Sequence, residues 1–72
     1  MNKDDILFYA FRYALGRSTY VVGQIVDEII ERWDTLDEQD QSQYKKEIVE
    51  AIELKPTSMK MDVKEWQRIL DL

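Results

Sequence analysis

A chain of 72 residues with 44% hydrophobic and 35% charged residues, two glycines and one proline has the material for one small globular domain and is too regular to be a linker. It contains neither cysteine nor histidine, which excludes a disulfide framework, thiolate chemistry, histidine-based catalysis and the commonest metal ligand. A net charge of −5 argues against direct DNA or RNA binding, which depends on a basic surface. The lack of a signal-like N-terminal segment or a membrane-length apolar run points to a cytoplasmic protein that stays off the membrane.

The elements predicted in chain order are all helical and make a compact bundle of four helices in one domain, residues 1–72. The first covers about 3–15, with Asp4 or Asp5 as cap and Gly16 as the left-handed stop after it. Ile6, Leu7, Phe8, Tyr9, Ala10, Phe11, Tyr13, Ala14 and Leu15 cover nearly every direction around this helix. It is therefore either a central core helix or one with a face in a homo-oligomer interface or a pocket. The second covers about 19–33, capped by Ser18 or Thr19, with Val22, Ile25, Val26, Ile29, Ile30 and Trp33 at helical spacing. The third, about 36–54, opens on the capping box Thr35-Leu-Asp-Glu38 and aligns Tyr44, Ile48, Ala51 and Ile52. Lys55-Pro56-Thr57-Ser58 breaks it, because proline lacks an amide donor and disfavours helix in the residue before it. Met59 and Met61, with Lys60 between them, are expected to fold back as gap-fillers, the alternative being a short extended segment. A second capping box, Asp62-Val-Lys-Glu65, starts the last helix, about 63–70, with Val63, Trp66, Ile69 and Leu70 on its apolar stripe.

Charge is unevenly placed. From Ile6 to Val26 the only charged side chains are Arg12 and Arg17, whereas residues 27–72 carry seven basic and thirteen acidic ones. Carboxylate pairs such as Asp27 with Glu31 and Glu50 with Glu53 fall on polar helix faces and read as solvated surface. Ser18 and Thr19 have no histidine or nearby lysine to activate them, so no catalytic residue, metal site or cofactor is expected. What remains is binding. Gly16, Arg17, Ser18 and Thr19 bring a flexible backbone, a guanidinium, two hydroxyls and the free amides of a helix N-terminus together, which are the parts of an anion site. Arg12 reaches towards the same end, and Phe8, Phe11, Tyr9, Tyr13 and Tyr20 offer ring faces on which a base stacks while arginine pairs with phosphate. The alternative at this turn is that Gly16 and Ser18 only stop and start helices, the rings fill the core and the arginines cover carboxylates from residues 27–72.

The segment "FYAFRYALGRSTYVV", followed by "VDEIIERWDTL" and ending in "DVKEWQRIL", resembles a group of small all-helical bacteriophage and prophage proteins to which no activity is attached. The resemblance spans almost the whole chain and rests on the "FRYALGR.TY" core and the terminal "EW..IL". It implies a phage origin and, by analogy with other small non-catalytic phage accessory proteins, a part in disarming host defence inside the infected bacterium.

Two functions are then expected. One is a homo-oligomer that sequesters a phosphate-bearing nucleotide immune signal with Arg12, Arg17, Ser18, Thr19, Tyr9, Tyr13 and Tyr20. The other is an inhibitor that mimics nucleic acid and occupies a basic groove on a host defence effector, such as a CRISPR or other nuclease, through Asp27, Glu28, Glu31, Asp34, Asp37, Glu38 and Asp40.

Overall fold

The computed structural model describes residues 3–15, 21–54 and 63–72, and these form an all-α bundle. Helix α1 covers Lys3–Ala14, α2 Val22–Arg32, α3 Glu38–Leu54 and α4 Val63–Leu70, with a short 3-10 turn at Trp33–Thr35 between α2 and α3. The apolar stripes account for the packing. Val22, Val26 and Ile29 of α2, Tyr44 and Ile48 of α3, and Trp66 and Ile69 of α4 are all buried. From α1 the buried side chains are Leu7, Phe11 and Ala14. Helix α2 packs against α4 and α1, and α4 also packs against α3.

Helices α1 and α3 meet through long side chains more than through backbone. The Phe11 ring centroid lies 4.8 Å from Tyr44 and 5.5 Å from Trp66, both edge-on, and Phe8 lies 5.2 Å from Tyr44. Edge-to-face contact sets the positive ring edge against the negative face and adds to the gain from burial. Phe11 thus ties three helices together. The Trp66 indole N–H in the same cluster is buried and finds no hydrogen-bond partner among the described residues. Around the outside, Arg68 Nη2 lies 2.8 Å from Asp27 Oδ1 and Nη1 lies 3.0 Å from Glu65 Oε2, joining α4 to α2. Hydrogen bonds to Asp27 first and Glu65 second hold the Arg68 guanidinium above its ordinary pKa.

The helix starts differ from the sequence expectation in ways the local geometry explains. Helix α1 already includes Asp4 and Asp5. Both positions therefore lie inside the first turn instead of before it, and at Asp5 a negative charge suits the helix dipole. The residue before α2 is Val21, with φ −85° and ψ −8° and no side-chain cap. The expected caps Ser18 and Thr19, the stop at Gly16, the break at 55–58, Met59, Met61 and the cap Asp62 lie outside the described residues.

For α3 the cap is Asp37, not Thr35. Asp37 Oδ1 accepts the Asp40 amide at 2.8 Å, whereas the Thr35 hydroxyl donates back to the Arg32 carbonyl at 2.6 Å and closes the 3-10 turn. Leu36 stands between them in extended conformation, φ −82° and ψ 144°, and is buried. The helix therefore starts two residues later than expected, at Glu38. Asp37→Ala should cost about 1 kcal/mol, the usual worth of an N-cap, read as a lowered urea midpoint at unchanged slope. Thr35→Ala should cost less than Asp37→Ala.

Candidate functional site

Helix α1 has one buried and one open side. At about 100° per residue, Leu7, Phe11 and Ala14 face the core, and Asp5, Ile6, Tyr9, Arg12 and Tyr13 face outward. Ile6, Tyr9 and Tyr13 are 55%, 59% and 66% exposed. A groove of about 410 Å³ runs along one flank of this helix, between it and the start of α3. Phe8, Tyr9 and Tyr44 supply its rings, and Asp5, Arg12, Asp40, Gln39 and Gln43 its polar groups. The expected site residues Tyr9 and Arg12 therefore share one groove, while Tyr13 stands further along the outer face. Arg17, Ser18, Thr19 and Tyr20 lie outside the described residues.

Arg12 already has two structural tasks. Its Nε lies 3.0 Å from Glu47 Oε1 on α3, and its guanidinium carbon sits 5.5 Å from the centre of the Phe8 ring. It also stands in the last turn of α1, where the helix dipole favours a cation. Its partner Glu47 comes from α3, and sequence patterns do not register a contact between separate helices. Because Arg12 is largely exposed while the Glu47 side chain is nearly buried, water screens much of the pair. A double-mutant cycle over Arg12→Ala and Glu47→Ala should give a coupling of about 0.5–1 kcal/mol in urea unfolding.

The seven acidic residues expected on a protein-binding surface separate into two groups. Asp27 pairs with Arg68, and Glu28 lies 2.7 Å from Arg32. From the last turn of α2 through the 3-10 turn into the first turn of α3, Glu31, Asp34, Asp37, Glu38 and Asp40 are exposed and make no ion pair with another described residue. No basic residue falls between Arg32 and Lys45. Lys45 itself donates to the Leu72 carbonyl at 2.6 Å and lies 5.7 Å from the Trp33 ring centre. Asp40 belongs both to this acidic run and to the groove beside α1. The groove and the run thus form one surface carrying more negative than positive charge. Phe8, expected as a ring near the site, does line the groove, whereas Phe11 is buried in the core; sequence reasoning missed Asp5, Leu36, Gln39, Gln43 and Tyr44 as groove residues. The four-residue spacing of Gln39 and Gln43 puts them on one face of α3, but nothing local tells which helix that face meets.

Comparison with protein-family models, with curated proteins and with solved structures gives no match. Among the described residues no helix is long and apolar enough to cross a membrane.

Proposed function

We propose that the protein is a non-catalytic inhibitor of a host defence protein, a DNA-binding nuclease in the first instance, and that it engages a basic nucleic-acid groove on that target with the acidic run from Glu31 to Asp40. In this reading it is a phage or prophage product acting in the cytoplasm of the infected bacterium, in line with the resemblance of its sequence, and it works as a homo-oligomer. The observation that carries the proposal is the density of this run: five exposed carboxylates fall within the ten residues from Glu31 to Asp40, and none of them makes an ion pair with another described residue, whereas Asp27, Glu28, Glu47 and Glu65 meet arginines. Folding accounts for part of the run, because Asp37 caps α3 and Glu38 and Asp40 stand at its positive end. It does not account for Glu31, which sits near the C-terminus of α2, where a carboxylate opposes the helix dipole. Crowded like charges repel one another and are tolerated where a partner of opposite sign is to be met.

The experiment is a competition on a purified defence nuclease. The inhibitor should raise the DNA concentration needed for half-maximal cleavage without lowering the plateau, and added salt should weaken it, because the attraction between the two surfaces is screened. Inhibition that excess DNA does not relieve would count against occupation of the DNA groove.

A second reading, sequestration of a phosphate-bearing nucleotide signal, is favoured by one observation: Tyr9 and Arg12 line a groove with the Phe8 and Tyr44 rings, so that a stacked base and an arginine would be neighbours. Against it, Arg12 is held by Glu47 and the groove carries Asp5 and Asp40. Calorimetry with cyclic dinucleotides, cyclic oligonucleotides and ADP-ribose-type signals separates the readings. Heat that Arg12→Ala and Arg17→Ala both abolish would support sequestration, and no heat with any of them would dispose of it.

A further inference from the structure

We infer that two copies of the chain associate as a two-fold symmetric dimer, antiparallel along the outward face of α1. That face is a narrow stripe. Asp5, Ile6, Tyr9, Arg12 and Tyr13 fall within about a third of the helix circumference, on the side away from the buried Leu7, Phe11 and Ala14. Its apolar members Ile6, Tyr9 and Tyr13 are each more than half exposed, whereas the other large exposed apolar residues among the described ones, Val49, Leu54 and Leu72, belong to α3 and the C-terminal end.

The arrangement of charge selects the occupant. The stripe carries an acid near its start and a base near its end, Asp5 and Arg12, seven residues or about 10 Å apart along the axis. A basic partner of the kind proposed above gains nothing from such a surface. A second copy running the opposite way matches it at both ends. A two-fold axis beside Tyr9 sets Asp5 across from Arg12 of the second copy, and Ile6 across from Tyr13 of the second copy, to within one residue of register. Each contact then occurs twice, as a two-fold interface requires, and the two helix dipoles oppose. Arg12 can serve a second carboxylate while held by Glu47, since a guanidinium has five donors.

The relief of the surface agrees. Helix α1 is a ridge with a depression on each side, the groove towards α3 and a more apolar one of about 340 Å³ lined by Ile6, Leu7 and Ala10 with Glu28 and Arg32 at its edge. The small Ala10 side chain lets a second helix approach closely. Covering Ile6, Tyr9 and Tyr13 on both copies removes on the order of 600 Å² from water, roughly half of the 1,200 Å² at the lower end of stable interfaces. The flanks of the grooves must supply the rest. An interface of that size fits a reversible dimer with a micromolar dissociation constant.

Sedimentation velocity over a micromolar concentration series tests this on the intact chain. The mass should move from the 8.7 kDa monomer to twice that value as concentration rises. Ile6→Glu and Tyr13→Asp should remain monomeric throughout while keeping wild-type circular dichroism, because both sites are exposed. Asp5→Arg, which faces Arg12 of the second copy, should raise the dissociation constant at least tenfold. The chain has no cysteine, so Tyr9→Cys, beside the axis, should oxidise to a disulfide-linked dimer, and Glu50→Cys on the exposed part of α3 should not. A monomer at every concentration overturns the inference. So does a dimer that Ile6→Glu and Tyr13→Asp leave unchanged, or equal cross-linking through both cysteine variants. The acidic run is probed by other substitutions, at residues 31–40, so that failure of the dimer and failure of the acidic surface are distinguishable.

Discussion

Phe11→Ala is expected to remove about 3–5 kcal/mol of stability, the cost of emptying a fully buried aromatic site. Phe11 has no exposed surface and touches Phe8, Tyr44 and Trp66. Its loss therefore opens the junction of α1 with α3 and α4 at once. Domains are stable by about 0.05–0.15 kcal/mol per residue, so a chain this short has no more than roughly 10 kcal/mol to lose. The variant should be substantially unfolded at a moderately raised temperature, with a urea midpoint well below that of the wild type. A conservative Phe11→Leu keeps most of the volume and should lose less than half as much. If Phe11→Ala and an exposed control such as Tyr9→Ala have the same midpoint, the aromatic junction is not what holds α1 to the bundle.

The second large effect should appear in function with the fold intact. The triple reversal Glu31→Lys, Asp34→Lys and Asp40→Lys changes the net charge of the exposed run by six units and leaves the Asp37 cap in place. Reversed charges at an interface act mainly on the rate of encounter, and steering by a complementary surface is worth on the order of 10–1,000-fold in association rate. Slower association should show in surface plasmon resonance on an immobilised defence nuclease, with the largest difference from wild type at low salt. Circular dichroism and the urea midpoint should change little, since all three positions are exposed and the gain from a base near the C-terminus of α2 offsets the loss of an acid in the first turn of α3. Glu31→Lys by itself should be slightly stabilising, because it replaces an acid with a base near the C-terminus of α2.

Helix number and the core stripes of α2, α3 and α4 were legible because each carries its apolar residues at helical spacing, and burial at Val22, Val26, Ile29, Tyr44, Ile48, Trp66 and Ile69 follows that spacing. Cap positions were less so. Thr35 with Glu38 has the spacing of a capping box, yet Asp37 also precedes a helical run, and the choice between them rests on Leu36, which must turn into the core in extended form. That is a tertiary fact. The apolar residues all round α1 correctly suggested a helix with more than one apolar face, but only the bundle reveals that Phe11 looks inward and Tyr9 and Tyr13 outward. The candidate site was legible as residue types and not as partners. Arg12 stood out as a rare charge in an apolar stretch, while its neighbour Glu47, on another helix, was one of many acids. The acidic run from 31 to 40 was visible as composition, and that it has no ion pair among the described residues emerged only once Arg12, Arg32 and Arg68 were placed.

The most direct measurement is phage plating on bacteria that carry a DNA-binding nuclease defence and express either the wild-type protein or the Glu31→Lys, Asp34→Lys, Asp40→Lys variant at equal level. Wild type should restore plating towards that on defence-free cells, and the variant should leave the defence in force. Equal restoration by both would contradict the acidic run as the inhibitory surface, and no restoration by either would contradict inhibition of that defence.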